Sequence, residues 1–208
     1  MAKQVIDIGS TANDGTGDTL RDAMTKANSN FTELYATDPT IIQKLYDTAG
    51  WGYYVDAETT PATQTISTTP SKLQIDSLGG LSDSSYLPNE IRGVSELWDA
   101  TTNKVTPINI GDSYDVRVSL TITAKGGSPN VLVVILDIGG GATVTINISE
   151  YQIPVVSSVP FSATVSLPIF CLSTFKTNGG QLFLSTDAGT LTVSSRTIFI
   201  KRDYNGTI

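Results

Sequence analysis

Carboxylates are the side chains of this sequence that could carry chemistry, because most other catalytic groups are missing. The 208 residues contain no histidine and a single cysteine, Cys171, which excludes Ser-His-Asp and Cys-His catalysis and structural zinc. Cys171 continues an apolar alternation, so we predict a buried, unreactive thiol. Paired carboxylates can hydrolyse glycans, and the closest pairs are Asp112 with Asp115 and Asp56 with Glu58. Both pairs are predicted in turns or at strand edges, where carboxylates are solvated, so we predict no enzymatic activity.

The densest polar cluster lies near the N-terminus. Its carboxylates Asp14 and Asp18 suggest calcium, but the spacing is not that of an EF-hand loop and the closing glutamate is absent. We interpret the cluster as a tight glycine turn that leads into a capped helix, since Gly15 and Gly17 permit positive φ. We predict no metal and no cofactor. The cluster consists of Asn13, Asp14, Gly15, Thr16, Gly17 and Asp18.

Aromatic residues can stack on sugars where they are exposed. Trp51, Tyr53 and Tyr54 belong to this group, and Trp98 and Tyr204 are the candidate receptor-contact residues. The alternative is a place in the core or at a subunit interface, which is the usual position of such rings.

The predicted secondary structure that positions these residues changes near Gly50, from helices before it to strands after it. Thr19 and Asp22 form a capping box, and the apolar residues that follow recur at intervals of 4, 3, 4 and 3, the spacing of a coiled-coil seam. Two interpretations stay open: the helix packs on its own domain, or helices of several copies associate. A second short helix is predicted from Asp38 to Gly50. The stripe residues are Leu20, Met24, Ala27, Phe31 and Leu34.

From Trp51 onward the apolar residues alternate with period two, which predicts strands. Residues 114–124 predict a strand with one wet face, and the continuous run Val131–Leu136 predicts a strand covered on both faces. The predicted fold class is mainly β, a short N-terminal α-helical stem followed by an antiparallel β-sandwich or jelly-roll head. Further strands are predicted at residues 64–67, 72–75, 143–149, 161–167, 169–174, 181–185, 189–193 and 197–201.

The distribution of charge argues against two classes of binding partner. Thirteen Lys+Arg stand against 20 Asp+Glu, for a net charge of −7, and the basic residues do not cluster, so neither nucleic acid nor an anionic lipid surface is a predicted partner. A lysine at the third position precedes any apolar run, so no signal peptide is predicted. The uncharged stretch Tyr151–Phe175 carries three prolines, which favours strands over a membrane-spanning helix.

Residues 8–35 resemble a segment of bacteriophage virion proteins. In both, an Asn-Asp-Gly-Thr-Gly-Asp turn, here residues 13–18, is followed by Leu20-Arg21, an apolar helix and the run Asn28-Ser29-Asn30-Phe31-Thr32-Glu33-Leu34-Tyr35. The chain departs from the family at residues 10–12, where the family has a threonine and often a proline. The strand pattern of the C-terminal region is also similar to the jelly-roll heads of trimeric phage fibres.

The resemblance implies a non-enzymatic virion structural protein, a short trimeric fibre or appendage. Residues 1–50 would dock on the virion and trimerise, and residues 51–208 would form a head that faces the host surface. The implied partners are further copies of this chain, other phage virion proteins, and a host glycan or receptor. The implied location is the virion, after synthesis in the host cytoplasm. Two alternatives remain: a capsid decoration or tail-connector protein that binds only virion subunits, and a small glycan-degrading appendage.

Overall fold

A change from helical to β structure divides the chain into two units, Met1–Tyr46 and Asp47–Ile208. The computed structural model describes residues 4–11, 15–46, 50–57, 63–87, 96–126, 129–155, 159–204 and 206. Among these residues, neither helix combines the length and the apolar character that crossing a membrane requires.

The first unit contains one helix, α1, which spans Leu20–Tyr46. It begins where the backbone N–H of Asp22 donates to the hydroxyl of Thr19 over 3.2 Å, while that hydroxyl donates to the Asp22 carboxylate over 2.6 Å. Thr19 therefore caps the helix with its hydroxyl, which is half of the predicted capping box, while the Asp22 carboxylate accepts from the Thr19 hydroxyl. The predicted second helix from Asp38 is wrong, because α1 continues through Pro39. A proline removes one amide donor from the helical ladder, a loss that this 27-residue helix tolerates.

The second unit is built from strands and one further helix, and its elements follow in chain order. They are β1 (Gly50–Val55), β2 (Gln64–Ile66), β3 (Ser71–Lys72), β4 (Trp98–Asp99), β5 (Lys104–Val105), β6 (Ser113–Gly126), β7 (Val131–Asp137), β8 (Asn147–Pro154), β9 (Phe161–Phe170), α2 (Ser173–Asn178), β10 (Gln181–Thr186) and β11 (Thr190–Tyr204).

The described residues of this unit form two large antiparallel sheets and a small two-stranded one, in which β4 pairs with β5. One has the order β1-β11-β6-β9, with β2 paired to the other half of β11, and the second has the order β3-β10-β7-β8. The first strand lies beside the last, and the chain crosses between the two large sheets from β6 to β7, from β8 to β9, from β9 to β10 and from β10 to β11, as in a jelly roll. The predicted mainly β class with antiparallel sheets is confirmed.

The core lies between the two sheets. Alternate residues of each strand point inward, which matches the predicted alternation in β6. On the second face of β7, Ile135 is buried and lies opposite the fully buried Phe183 of β10, so that part of the run is covered on both faces as predicted. Inward residues from β6 and β7 include Val116, Val118, Leu120, Ile122, Leu132, Val134 and Leu136.

One observed strand, β11, spans the residues that were predicted as two strands, 189–193 and 197–201. Between Ser194 and Thr197 it advances three residues while β6 advances from Thr121 to Ser119, so one extra residue is inserted as a β-bulge. Ser195 at this point has a φ of 47°. The extra residue reverses which positions face inward, and a single continuous strand therefore shows two phases of alternation.

Three other predicted strand boundaries are wrong. Strand β9 runs without a break through Pro168, because it is an edge strand and a proline there loses no ladder hydrogen bond. The residues predicted as a strand up to Thr174 instead enter α2. The predicted strand at 143–149 begins only at Asn147, because the Asp137 carboxylate accepts the backbone N–H groups of residues 139, 145 and 146 and holds the preceding residues as a loop.

The free edge of β1 is covered by residues 79–86. Tyr53 and Asp83 exchange two backbone hydrogen bonds of 2.8 Å, and the Trp51 N–H donates to the Tyr86 carbonyl over 2.9 Å. An edge paired in this way no longer offers free donors and acceptors to another chain.

Candidate functional site

The residues before α1 lie against the helix and are held by polar contacts centred on Asp18. Its Oδ2 accepts the backbone N–H of Asp7 over 2.8 Å and the Lys26 ammonium over 2.6 Å. The Lys26 ammonium also donates to the Val5 carbonyl over 3.1 Å. The pKa of Asp18 is lowered from its usual value, chiefly because Lys26 donates to its carboxylate and also because Asp7 does.

Asn30 holds the start of the segment in the way that a neighbouring strand would. Its Oδ1 accepts the backbone N–H of Gln4 over 3.0 Å, and its Nδ2 donates to the Gln4 carbonyl over 2.9 Å. Lys26 lies one helical turn before it on the same side of α1. We call residues 4–9 together with Asp18, Lys26 and Asn30 the clasp.

The two glycines of the predicted turn have different roles. Gly15 has a φ of 71°, as predicted, but Gly17 is not among the glycines with positive φ, which corrects that prediction. A Cβ on Gly17 would lie 2.7 Å from the backbone nitrogen of Gly9 and 2.9 Å from the Asp7 carbonyl oxygen. Gly17 is therefore required because two backbone segments approach each other closely there.

The rest of the predicted docking cluster is only partly described. Asn13 and Asp14 lie outside the described residues. Thr16 accepts the backbone N–H of Ser10 at 3.4 Å. The docking role of residues 13–18 stays a prediction.

The apolar stripe of α1 is exposed in the single chain. Its large residues are between 53% and 80% exposed, and Ala27 is partly exposed. The clasp contacts a face roughly 100° around the helix from the centre of the stripe, so it leaves the stripe uncovered. The large residues are Leu20, Met24, Phe31 and Leu34.

Trp98 is not a receptor-contact residue, which corrects the prediction. It is 1% exposed, and its indole N–H donates to the Ile75 carbonyl over 3.0 Å. Tyr54 is likewise buried, and its hydroxyl accepts the Leu97 N–H. Tyr204 is 53% exposed at the end of β11, and its receptor role stays a prediction.

A different group of rings lies on the outer face of the first sheet. Trp51 stacks on Tyr86 with a centroid distance of 4.8 Å and lies 5.7 Å from Phe199. The Arg117 guanidinium lies 5.6 Å from the centroid of Phe199. Sequence analysis named Trp51 but missed the other three, because the members come from distant segments. We call these four residues the ring cluster.

The predicted carboxylate pairs do not form a catalytic site. Asp112 is fully buried; it accepts the Tyr114 hydroxyl over 2.8 Å and the Gly206 N–H over 2.8 Å, and lies 3.6 Å from Arg202. Asp115 points to the outer face, where Arg117 donates to it over 2.7 Å. The prediction that Asp112 is solvated is wrong, and the two carboxylates do not share a groove.

The second predicted carboxylate pair, Asp56 with Glu58, is also not observed as a catalytic pair. Asp56 is buried in an ion pair with the fully buried Arg196, and Glu58 lies outside the described residues. Cys171 is buried as predicted, and burial raises the pKa of its thiol to about 11. Within the described part of the chain, no three carboxylate or cysteine side chains are arranged to hold a metal ion.

These features define a class. They are a clasped helix with an exposed apolar stripe, followed by a jelly-roll unit in which the described buried carboxylates are engaged in structural contacts. Residues 3–147 match the family described as bacteriophage T4 gp9/10-like protein, N-terminal, and the chain belongs to that family. The match runs from the clasp through β7. Family membership identifies a phage structural protein and indicates a virion location and contacts with other virion proteins.

The similarity of this chain to curated proteins and to solved structures is weak. No curated protein matches the chain. Among solved structures, the PRD1 vertex protein P5 is 16% identical and covers 76% of this chain and 98% of its own, with a TM-score of 0.39. Eiger TNF from S. frugiperda is 11% identical and covers 77% of this chain and 96% of its own, with a TM-score of 0.47. At these scores the fold assignment rests on the strand order.

Proposed function

We propose that the protein is a short trimeric fibre or appendage of the phage particle, without enzymatic activity. It docks by its N-terminal segment and projects the jelly-roll unit. The observation that carries the proposal is the exposed apolar stripe on α1. The alternative of a capsid decoration or connector protein shares the same assembly surface and differs in what the head contacts.

The stripe supports self-association through its spacing and its exposure. Intervals of 4 and 3 keep one seam facing a partner helix, and side chains that are at least 53% exposed in one chain have apolar area left to bury. Burying that area contributes about 25 cal/mol per Å². The same surface on three copies forms a closed symmetric bundle.

The clasp supports a docking role because two of its apolar side chains are exposed to solvent. Val5 is 71% and Ile8 is 89% exposed, although the backbone near them is held: Gln4 and the Val5 carbonyl contact Asn30 and Lys26 of α1, and the Asp7 N–H contacts Asp18. A pinned segment loses less conformational entropy on binding than a free one. We therefore assign virion docking to this segment.

Light scattering of the purified protein tests the trimer. The expected mass is three times 22.1 kDa, and Phe31→Asp is expected to give monomers, because a charge inside the seam is costly to bury. Thr32→Asp is the control: it adds the same charge at the next residue, which lies about 100° around α1 from Phe31 and outside the stripe. Monomeric wild-type protein at micromolar concentration would refute the proposal.

Particle incorporation tests docking. Ile8→Asp is expected to keep the trimer and lose incorporation into particles, whereas Phe31→Asp loses the trimer first. An Ile8→Asp protein that incorporates as well as the wild type places docking elsewhere in the chain.

The ring cluster supports host-surface binding by the head. Rings that are partly exposed beside an arginine can stack on a sugar, with roughly 1–3 kcal/mol lost on truncation. Tyr86→Ala is expected to weaken retention on host cells, and Tyr151→Ala, an exposed tyrosine on β8, serves as control. Equal retention of both variants supports the capsid decoration or connector alternative. Release of reducing ends from host glycan would instead support the glycan-degrading alternative.

A further inference from the structure

The ring cluster extends across three neighbouring strands of the first sheet, β1, β11 and β6. Phe199 of β11 lies directly opposite Arg117 of β6, and Trp51 of β1 lies opposite the next outward residue of β11, Lys201. Neighbouring strands are about 4.8 Å apart, so two strand spacings separate Trp51 from Arg117. The surface between them has about the length of a disaccharide.

Arg117 is held by its neighbours in a way that leaves part of its guanidinium without a partner. Its Nε donates to the Asp115 carboxylate over 2.7 Å, and its guanidinium lies against the Phe199 ring. The other oxygen of Asp115 accepts the Ser166 hydroxyl over 2.5 Å, which fixes the carboxylate in turn. Of the residues that the structure describes, none accepts a hydrogen bond from the two terminal nitrogens of Arg117. Those nitrogens are available to an acceptor from outside the chain.

The exposed charge at this site is positive, although the whole chain carries a net charge of −7. The side chain of Arg117 is 54% exposed, whereas that of its partner Asp115 is 15% exposed. The other charged pair on this face, Lys201 with Asp203, is balanced, because its members are exposed to nearly the same extent. The two terminal nitrogens of an arginine form a planar fork that matches the two oxygens of a carboxylate. The charge therefore favours a ligand that carries a carboxylate.

The rings indicate the rest of the ligand. Tyr86 is 60% exposed and stacks on Trp51 at an interplanar angle of 21°. Such a pair offers a flat apolar surface, on which the face of a sugar ring stacks. A neutral glycan would use the rings but not the guanidinium, and an acidic peptide would use the guanidinium but not the rings. A sugar chain that carries carboxylates uses both.

We propose, on the basis of the host-surface role proposed above, that the ring cluster binds a polysaccharide containing uronic acids. One sugar ring stacks on Tyr86 and Trp51, and the carboxylate of a neighbouring sugar pairs with the terminal nitrogens of Arg117. Phe199 and Asp115 position the guanidinium for this contact.

Trp51 reports on binding to the full-length protein. The chain has two tryptophans, and Trp98 is 1% exposed, so a ligand on the ring cluster is expected to protect chiefly Trp51 fluorescence from quenching by acrylamide. The probes are short oligomers of galacturonate, glucuronate and mannuronate, each compared with its methyl ester, in which the carboxyl groups carry no charge. At least one acid is expected to protect saturably, and its ester to bind at least tenfold more weakly.

Three results of this titration would overturn the proposal. They are no saturable protection by any of the three acids, binding of the ester as tight as that of the acid, and binding of oligoglutamate as tight as that of the oligouronate. The last result would favour an acidic peptide as the ligand.

Calorimetry on three variants separates the charge from the rings. Arg117→Gln is expected to weaken binding of the acid at least tenfold, to leave the weak binding of the ester unchanged and to keep the wild-type melting temperature. Tyr86→Ala is expected to weaken binding of both. Arg21→Gln, the same substitution at an exposed position of α1, is the control and is expected to change neither. Unchanged affinity for the acid in Arg117→Gln contradicts the proposal.

Retention on host cells separates this proposal from the host-surface role on which it rests. Arg117→Gln is expected to reduce retention, as Tyr86→Ala does. Reduced retention in Tyr86→Ala alone would leave the host-surface role standing and overturn the acidic ligand. Wild-type protein that binds an oligouronate but is not retained on host cells would contradict the host-surface role and support the assigned ligand chemistry.

Discussion

Two arginines of β11 lie in the core with an aspartate beside each of them. Arg196 and Arg202 are fully buried, and their partners Asp56 and Asp112 come from other segments. A buried ion pair adds little net stability over apolar residues, but loss of one partner leaves an uncompensated charge. These pairs therefore make the fold sensitive to single substitutions.

Asp112→Ala is expected to destabilise the second unit by about 3–5 kcal/mol, because it removes a buried carboxylate beside the buried Arg202. Asp115→Ala, three residues along, removes an exposed contact to Arg117 and is expected to cost less than about 1 kcal/mol. Urea unfolding followed by circular dichroism at matched protein concentration measures both. Equal costs would show that the Asp112 contact does not stabilise the fold.

The clasp is expected to open at acid pH. Because the folded pKa of Asp18 lies below the usual 3.8, the stabilisation that its ionised form gives is fully present above that value and is lost as pH falls through the lowered folded value. Exchange of the Asp7 amide, corrected for the intrinsic rate, is expected to rise steeply below the usual aspartate pKa. In Asp18→Asn the same amide is expected to exchange quickly at neutral pH as well. An amide protected equally at both pH values would contradict this role for Asp18.

At the scale of the elements, three single residues that depart from regular secondary structure determine how strands and segments are placed. One extra residue in β11 turns Arg196 inward, an edge position lets Pro168 stay within β9, and Gly17 lets the segment before α1 approach it. Each exception obeys a steric or hydrogen-bonding rule that depends on the neighbouring segment.

Gly17→Ala is expected to open the clasp, because its Cβ would collide with the backbone of Gly9. Gly80→Ala is the control, since a Cβ there has no atom within 4 Å. The measurement is proteolysis of the N-terminal segment together with exchange at Gln4 and Asp7. If the clasp is as protected as in the wild type, residues 7–9 can move away from residue 17 without loss of the Asp18 contacts.

For the whole molecule, the two compact units predict separability. A fragment of residues 51–208 keeps both sheets and all of the buried ion pairs, so we expect it to fold cooperatively and to be monomeric. A fragment of residues 57–208 lacks β1 and Asp56 and is expected to unfold at a lower temperature, because Arg196 then has a buried charge without that carboxylate.

Circular dichroism melts and light scattering measure these outcomes. A trimeric 51–208 fragment would place self-association in the jelly-roll unit and remove the stripe from that role.

The sequence by itself determined the features that depend on neighbours along the chain. Alternation identified β6 and β7, and the Thr19 and Asp22 pair identified the start of α1. Each of these signals arises from contacts within a few residues, which sequence spacing encodes directly.

Only the tertiary structure decided the burial of Trp98 and of Asp112. Trp98 donates to a carbonyl 23 residues away, and Asp56 pairs with an arginine 140 residues away. An aspartate in a turn has the same local pattern whether it meets water or a buried arginine. The difference is set by which distant strand the jelly-roll topology places beside it, since a buried charge is stable only next to its counter-charge.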